Sequence, residues 1–170
     1  MDHFLINPYF LVGVYVASNV LALLSIFASV KKPQLARLFF LLLFGWACWI
    51  NSSTALDAPW VYQDYADSSI PVYKRFILGA FEAIATPMVL SIAAAQGLIA
   101  LSMILKGNLF RFGCWGGIVF CIAISPIGSY AAFPATLFMA VSLYLLQRKQ
   151  GDLFIWGREG KVQKVKLAHF

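Results

Sequence analysis

The chain has 170 residues, of which 61% are hydrophobic and only 12% are charged, and it carries a formal net charge of +6. Soluble globular domains carry about a quarter charged residues, so this composition excludes an ordinary soluble domain and places the chain among membrane proteins. The length suits one bundle of helices without a separate soluble domain.

Five apolar segments predict an all-α fold, a polytopic membrane helix bundle of four to five transmembrane segments. The predicted spans lie at residues 8–30, 35–54, 76–105, 112–126 and 134–147. Residues 57–75 are polar, aromatic and flanked by proline, which indicates an outer loop. The third span is longer than a hydrocarbon core of ~30 Å requires, so we expect it to tilt, to kink at Pro87 or to protrude.

The last apolar stretch, residues 112–147, is too long for one span and contains Pro126 and Pro134. Proline interrupts helices because it lacks an N–H group and clashes with the preceding turn. Two crossings place every Lys and Arg inside except Lys74 and Arg75, whereas one crossing moves the basic tail outside. Since basic residues mark cytoplasmic loops, we predict two short helices broken at Pro126–Pro134, with the N-terminus outside and the C-terminus inside.

Residues 1–147 are thus the predicted bundle, and residues 148–170 are a basic cytoplasmic tail. One interpretation is that this tail only sets the topology. Another is that it binds anionic lipid headgroups, with residues 153–156 as an interfacial anchor. The headgroup contacts would be Arg148, Lys149, Arg158, Lys161, Lys164 and Lys166. We expect no nucleic-acid binding, because the tail contains no recognisable motif for it.

Glu82 is the only acidic residue well inside a predicted span. A carboxyl group in the bilayer is costly and usually faces the bundle interior or water. At helical spacing it shares a stripe with Thr86 and Gln96, and the first span has a similar stripe with Tyr15 and Asn19. We expect the two stripes to pack together and to form a polar pocket.

Two roles are open for Glu82. It is either a structural hydrogen-bond hub, protonated or paired with Arg75 or Lys74, or the polar group of a pocket that binds a substrate, a quinone headgroup, an ion or a proton. The aromatic residues near the outer face are interpreted as an interface belt. They are Trp46, Trp49, Trp60, Tyr62, Tyr65 and Tyr73.

Catalytic and metal-binding patterns are not found in the sequence. Cys48, Cys114 and Cys121 form no CxxC pair, and His3 and His169 lie at opposite ends of the chain. No phosphate loop, dinucleotide fingerprint or hydrolase motif occurs. We therefore predict no metal and no cofactor, and we favour a protein that is not an enzyme.

The stretch from "ILGAFEAIATP" to "SPIGSYAAFPATLFM" and on to residue 146 resembles the small bacterial DoxX-like membrane proteins. The shared features are a glutamate early in a span, a short basic turn after it, and a glycine- and proline-containing segment that ends in "FPA" before the final helix. The resemblance implies a small helix bundle in the bacterial cytoplasmic (inner) membrane. One branch is named for a subunit of a thiosulfate:quinone oxidoreductase. The outer loop and the basic tail of this chain are additions to that pattern.

Three functions are compatible with these features. The first is a non-enzymatic accessory or partner-binding subunit that contacts the lipid bilayer and another membrane protein subunit. The second is a quinone-linked redox subunit or small-molecule carrier with a polar pocket around Glu82. The third is a lipid-binding protein that uses the basic tail. A cavity wide enough for a ligand would favour the second, and a closed interior would favour the first.

The predicted topology can be tested with single introduced cysteines. In a Lys161→Cys variant, a membrane-impermeant maleimide should label the tail only after the cells are opened, because the positive-inside rule places this residue in the cytoplasm. An Asp64→Cys variant should be labelled in intact cells and serves as the control. Labelling of Lys161→Cys in intact cells would contradict the five-segment interpretation.

Overall fold

The computed structural model describes residues 8–150 and 154–155. The α-helices are α1 (Pro8–Lys31), α2 (Pro33–Asp57), α3 (Pro71–Ile77), α4 (Ala80–Ser102), α5 (Gly107–Ile124) and α6 (Ala135–Gln150). Two 3₁₀ helices lie at Pro59–Asp67 and Ser125–Ala131, and none of the described residues lies in a β-strand. Four helical segments are long and apolar enough to cross a membrane. The predicted all-α fold is confirmed, and the protein is an integral membrane helix bundle.

The predicted third span is two helices, and the break between them is not at Pro87. α3 ends at Ile77 and α4 begins at Ala80, with Gly79 in a non-helical conformation between them. Pro87 lies inside α4. α4 has 23 residues and is therefore roughly 35 Å long, so dividing the segment resolves most of the excess length.

The predicted outer loop is also largely helical. It forms the first 3₁₀ helix and α3, and it buries Tyr62, Ala66 and Ile77. Together with the second 3₁₀ helix, these elements cover one end of the bundle. We call residues 59–77 and 125–134 the cap.

The predicted break of the last apolar stretch is present, and its backbone bonds to the rest of the cap. The Ser68 hydroxyl donates to the Ile127 carbonyl over 2.7 Å and accepts a hydrogen bond from the Tyr130 N–H group at 3.3 Å. The Ile70 N–H group donates to the Pro126 carbonyl at 3.0 Å. These contacts satisfy backbone groups that would otherwise face lipid without partners.

α1 and α6 run parallel to each other. Near their starts, the Tyr15 hydroxyl donates to the Phe133 carbonyl over 2.7 Å, and near their ends the Lys149 ammonium donates to the Val30 carbonyl over 2.5 Å. The start of α1 therefore lies at the same end of the bundle as the cap. Lys31, Lys32, Lys106, Arg111, Arg148 and Lys149 lie at the opposite end, which we call the basic end.

The predicted packing of the first span against the Glu82 helix is wrong. α1 packs on α6 and α2, whereas α4 packs on α2 and α5. The small polar stripe of α1 has a different partner: Ser29 and Ser142 are both buried, and their hydroxyls lie 2.8 Å apart. A serine stripe permits close approach of two helices, but its sequence does not specify which helix approaches.

Arg37, counted in the sequence as part of a basic loop, is fully buried in α2. Its Nε donates to the Met103 carbonyl over 2.7 Å, and Nη2 donates to the Leu105 carbonyl. The guanidinium also lies 4.1 Å from the centre of the Phe110 ring, a cation–π contact. Met103 and Leu105 follow the last residue of α4, so Arg37 bonds the turn between α4 and α5 and ties that turn to α2.

Gly128→Ala should lower the free energy of unfolding by about 2 kcal/mol or more. Gly128 has φ +81°, and an added Cβ would lie 2.3 Å from the Ser68 carbonyl oxygen. Thermal unfolding in detergent measures the effect. Gly45→Ala is the matched control: its Cβ meets nothing within 4 Å, and alanine is favoured inside a helix by roughly 0.5–1 kcal/mol. Equal melting temperatures for Gly128→Ala and the parent would contradict the close contact in the cap.

Candidate functional site

Glu82 does not face the bundle interior. It is exposed, in the first turn of α4, where a negative charge is favourable beside the free N–H groups of the helix. Lys74 and Arg75 are exposed on α3, and no ion pair with Glu82 occurs among the described residues. The prediction of an inward carboxyl group is wrong because the helix begins at Ala80, so that residue 82 lies near the end of the bundle.

The other residues of the predicted polar pocket are distributed over two separate places. The Thr86 hydroxyl donates to the Ala55 carbonyl over 3.1 Å and joins α4 to α2. The Asn19 amide donates to the Tyr15 carbonyl of its own helix at 3.0 Å, and both residues lie on the α1–α6 side. Of the predicted set, Gln96 alone lines the cavity described next.

A cavity of about 490 Å³ lies between the helices beneath the cap and is partly open to the surface, where Phe76 and Tyr130 of its lining are exposed. α2 and α4 form one wall, and α5 and α6 form the opposite wall. The two 3₁₀ helices and α3 cover it. Cavities of 300–1,000 Å³ are typical of sites for small organic ligands. Most of the lining is aliphatic and aromatic, with Phe44, Val89, Phe120 and Met139 among the apolar side chains.

Three side chains form a chain of hydrogen bonds on the wall of the cavity. The Tyr62 hydroxyl donates to Asn51 Oδ1 at 3.1 Å, and Asn51 Nδ2 donates to Gln96 Oε1 at 2.9 Å. Gln96 is only 2% exposed. This arrangement uses the acceptor of the Gln96 amide and leaves its donor, Nε2, without a partner among the described residues. Among the described residues, the fully buried side-chain atom without a partner is Asn19 Oδ1, on α1 and outside the cavity lining. Gln96 Nε2 instead keeps accessible surface, so at the cavity wall it is a donor open to a ligand.

The aromatic residues of the predicted belt separate into two groups. Trp46, Trp49 and Trp60 are between 64% and 68% exposed, as an interface belt requires. The tyrosines instead line the cavity, so the belt interpretation is wrong for them. Tyr62 is 9% exposed, and its ring stacks on that of Tyr65 with centroids 6.0 Å apart.

The two tyrosines of the first 3₁₀ helix stay uncharged at neutral pH. Burial raises the pKa of Tyr62, with a further contribution from neighbouring Tyr65, and burial also raises the pKa of Tyr65. Both phenols therefore keep their protons, and the Tyr62 proton is donated to Asn51. No Asp, Glu, Lys, Arg or His is among the described residues that line the cavity, so its interior carries no formal charge.

The described part of the chain has no group of three or more His, Cys, Asp or Glu residues that could hold a metal ion. Cys121 lines the cavity and Cys114 is buried away from it; both are free thiols.

The predicted lipid-headgroup residues are described only in part. Arg148 and Lys149 are exposed at the end of α6, with the Arg148 guanidinium 5.7 Å from the centre of the Tyr144 ring. Arg158, Lys161, Lys164 and Lys166 lie outside the described residues. The tail's contact with anionic lipid therefore stays a prediction.

Comparison with protein-family models, curated proteins and solved structures finds no match for this chain. The DoxX-like resemblance consequently stays an expectation. Asn51 and the cavity tyrosines are the site residues that the sequence interpretation missed. A usable signal was present, because Asn51 is an amide at the end of a predicted span and Gln96 is a second amide in another span.

Tyr62→Phe should cost about 1 kcal/mol of unfolding free energy, because it removes the hydroxyl bonded to Asn51. Thermal or denaturant unfolding in detergent measures this loss. Tyr130→Phe is the control, since the structure describes no hydrogen bond for that hydroxyl and the side chain is 56% exposed. A double-mutant cycle of Tyr62→Phe with Asn51→Leu should give a coupling energy of similar size. Additive effects would show that the two side chains are not bonded.

Proposed function

We propose that this integral membrane protein binds a lipid-soluble small molecule in the cavity beneath the cap. The observation that carries the proposal is a cavity of about 490 Å³ with the partnerless donor of a 98%-buried Gln96 in its wall. The cavity is partly open to the surface, since Phe76 and Tyr130 of its lining are exposed, so a molecule can enter it. A bound apolar molecule would cover the aliphatic and aromatic lining.

Among the three functions considered from the sequence, the cavity favours the small-molecule carrier. The carrier proposed here differs in its polar group, because Gln96 and Asn51 replace Glu82. The role is binding, since the polar side chains on the described lining are amides, hydroxyls and a thiol. A quinone-linked redox role and an accessory role beside another subunit stay predictions, and neither is needed to account for the cavity.

The orientation proposed is with the basic end in the cytoplasm and the cap outside. The basic end gathers most of the described Lys and Arg residues, and only Lys74 and Arg75 lie in the cap, which is the asymmetry of the positive-inside rule. The cavity would then lie nearer the outer face. The bacterial inner membrane is proposed from the DoxX-like resemblance.

Photolabelling with benzophenone tests the proposal. Benzophenone is an uncharged diaryl ketone of a size that fits the cavity, and on irradiation it inserts into nearby C–H bonds, including those of Met88 and Met139 in the lining. The purified protein in lipid nanodiscs should show saturable labelling of the peptides that contain these methionines.

Ala47→Phe should remove most of that saturable labelling, because residue 47 lines the cavity and the added ring would fill it. Ala94→Phe, at an exposed position of α4, is the matched control and should be labelled like the parent. Circular dichroism and melting temperature confirm that both variants are folded. Labelling spread evenly over lipid-facing helices, and unchanged in Ala47→Phe, would refute the proposal.

A further inference from the structure

We infer that the ligand of the cavity is an uncharged ring compound with a carbonyl oxygen that accepts a hydrogen bond from Gln96 Nε2. This inference rests on the proposed function and specifies the chemical class of the ligand. It is drawn from the direction of the hydrogen bonds, the absence of charge on the described lining, and the size and aromatic character of the walls.

The direction of the hydrogen bonds determines which group the ligand must supply. Tyr62 donates to Asn51, and Asn51 donates to Gln96, so the chain of bonds ends in the free N–H of the Gln96 amide. A ligand hydroxyl could accept this hydrogen bond, but it would also have to place its own proton on the second lone pair of the Gln96 or Asn51 side-chain oxygen, which requires two bonds in good geometry at once. A carbonyl oxygen accepts the bond and has no proton of its own to place, so it is the simpler match.

The described charges exclude an ionic headgroup at this position. Asp64, Lys74, Arg75 and Glu82 are the charged residues directly next to lining residues in sequence, and all four are exposed. A carboxylate or ammonium group inside the cavity would lose its hydration without gaining a counter-charge from the described lining. An uncharged ligand avoids that cost.

The size and walls of the cavity favour rings over a flexible chain. An apolar cavity of about 150 Å³ holds one benzene molecule, so 490 Å³ holds roughly three rings of that size. Tyr62, Tyr65 and Phe81 form a set of ring contacts on one side, with Tyr130 against Tyr65 at a centroid distance of 6.0 Å. Aromatic surfaces of this kind pack well against a flat ring.

The same carbonyl group is present in the ester linkages of bilayer lipids. A glyceride would present its carbonyls on flexible chains, which lose more conformational freedom on binding than a rigid ring compound loses. We therefore assign the site to a free ring compound, and the experiment includes a glyceride to separate the two sources.

The experiment is competition against benzophenone photolabelling of the Met88 and Met139 peptides in nanodiscs, with competitor concentrations expressed per lipid. Fluorenone and fluorene have almost the same shape and differ by the carbonyl oxygen. Fluorenone should compete about tenfold better than fluorene, a ratio that corresponds to about 1.4 kcal/mol. Dioleoylglycerol and the charged analogue 4-benzoylbenzoate should both compete more weakly than fluorenone.

Gln96→Leu should abolish the preference for fluorenone, because leucine has no donor, while saturable labelling persists. Thr86→Val is the control: it removes a hydrogen bond between the same two helices but does not line the cavity, and it should keep the preference.

Equal competition by fluorene and fluorenone in the parent, or an unchanged preference in Gln96→Leu, overturns the inference. Stronger competition by dioleoylglycerol than by fluorenone also overturns it, in favour of a lipid ester. Absence of saturable labelling in the parent refutes the proposed function itself, so the two failures are distinguishable.

Discussion

The contact between Ser68 and the turn around Gly128 is the constraint on which the cap of this bundle depends. A chain that turns close to a bilayer has backbone N–H and C=O groups without helical partners, and lipid offers them none. Here Ser68 both donates to and accepts from the turn, and Gly128 supplies the positive φ and the space that the approach requires. The cap forms because the two irregular segments of the chain satisfy each other.

At the basic end, backbone groups without helical partners are bonded by a side chain and not by a second irregular segment. There the carbonyls of Met103 and Leu105, in the turn that follows α4, accept hydrogen bonds from the buried guanidinium of Arg37. Both ends of the α2–α4 pair are thus fixed, at one end by Arg37 and at the other by the Thr86 bond and the cap. Between these fixed points, α5 and α6 stay far enough from α2 and α4 to leave the cavity.

The sequence predicted those features that depend on local chemistry. Hydropathy located the long apolar helices, and Pro126 and Pro134 located the break, because helix length and the missing proline N–H group act within a few residues. It did not predict where α4 begins, because the break at Gly79 separates two apolar stretches that hydropathy joins. Because α4 begins at Ala80 and not at residue 76, Glu82 lies in the exposed first turn of the helix instead of in the presumed interior.

The sequence also did not predict which polar side chains turn inward. Each of them bonds to a partner from a distant part of the chain, and a local pattern does not identify that partner. Tyr62 and Trp60 are two residues apart in one aromatic segment, yet the first turns inward to Asn51 and the second stays exposed. Gln96 was correctly predicted to face inward, but with the wrong neighbours.

The Gln96 amide offers one hydrogen bond to the protein and another to the cavity. The bond from Asn51 uses the acceptor of the amide. The Nε2 donor keeps accessible surface at the cavity wall, so whatever occupies the cavity decides whether that donor is satisfied. The bundle thus brings an unpaired donor, aromatic walls and open volume to one place, and the proposed binding of a lipid-soluble molecule rests on that combination.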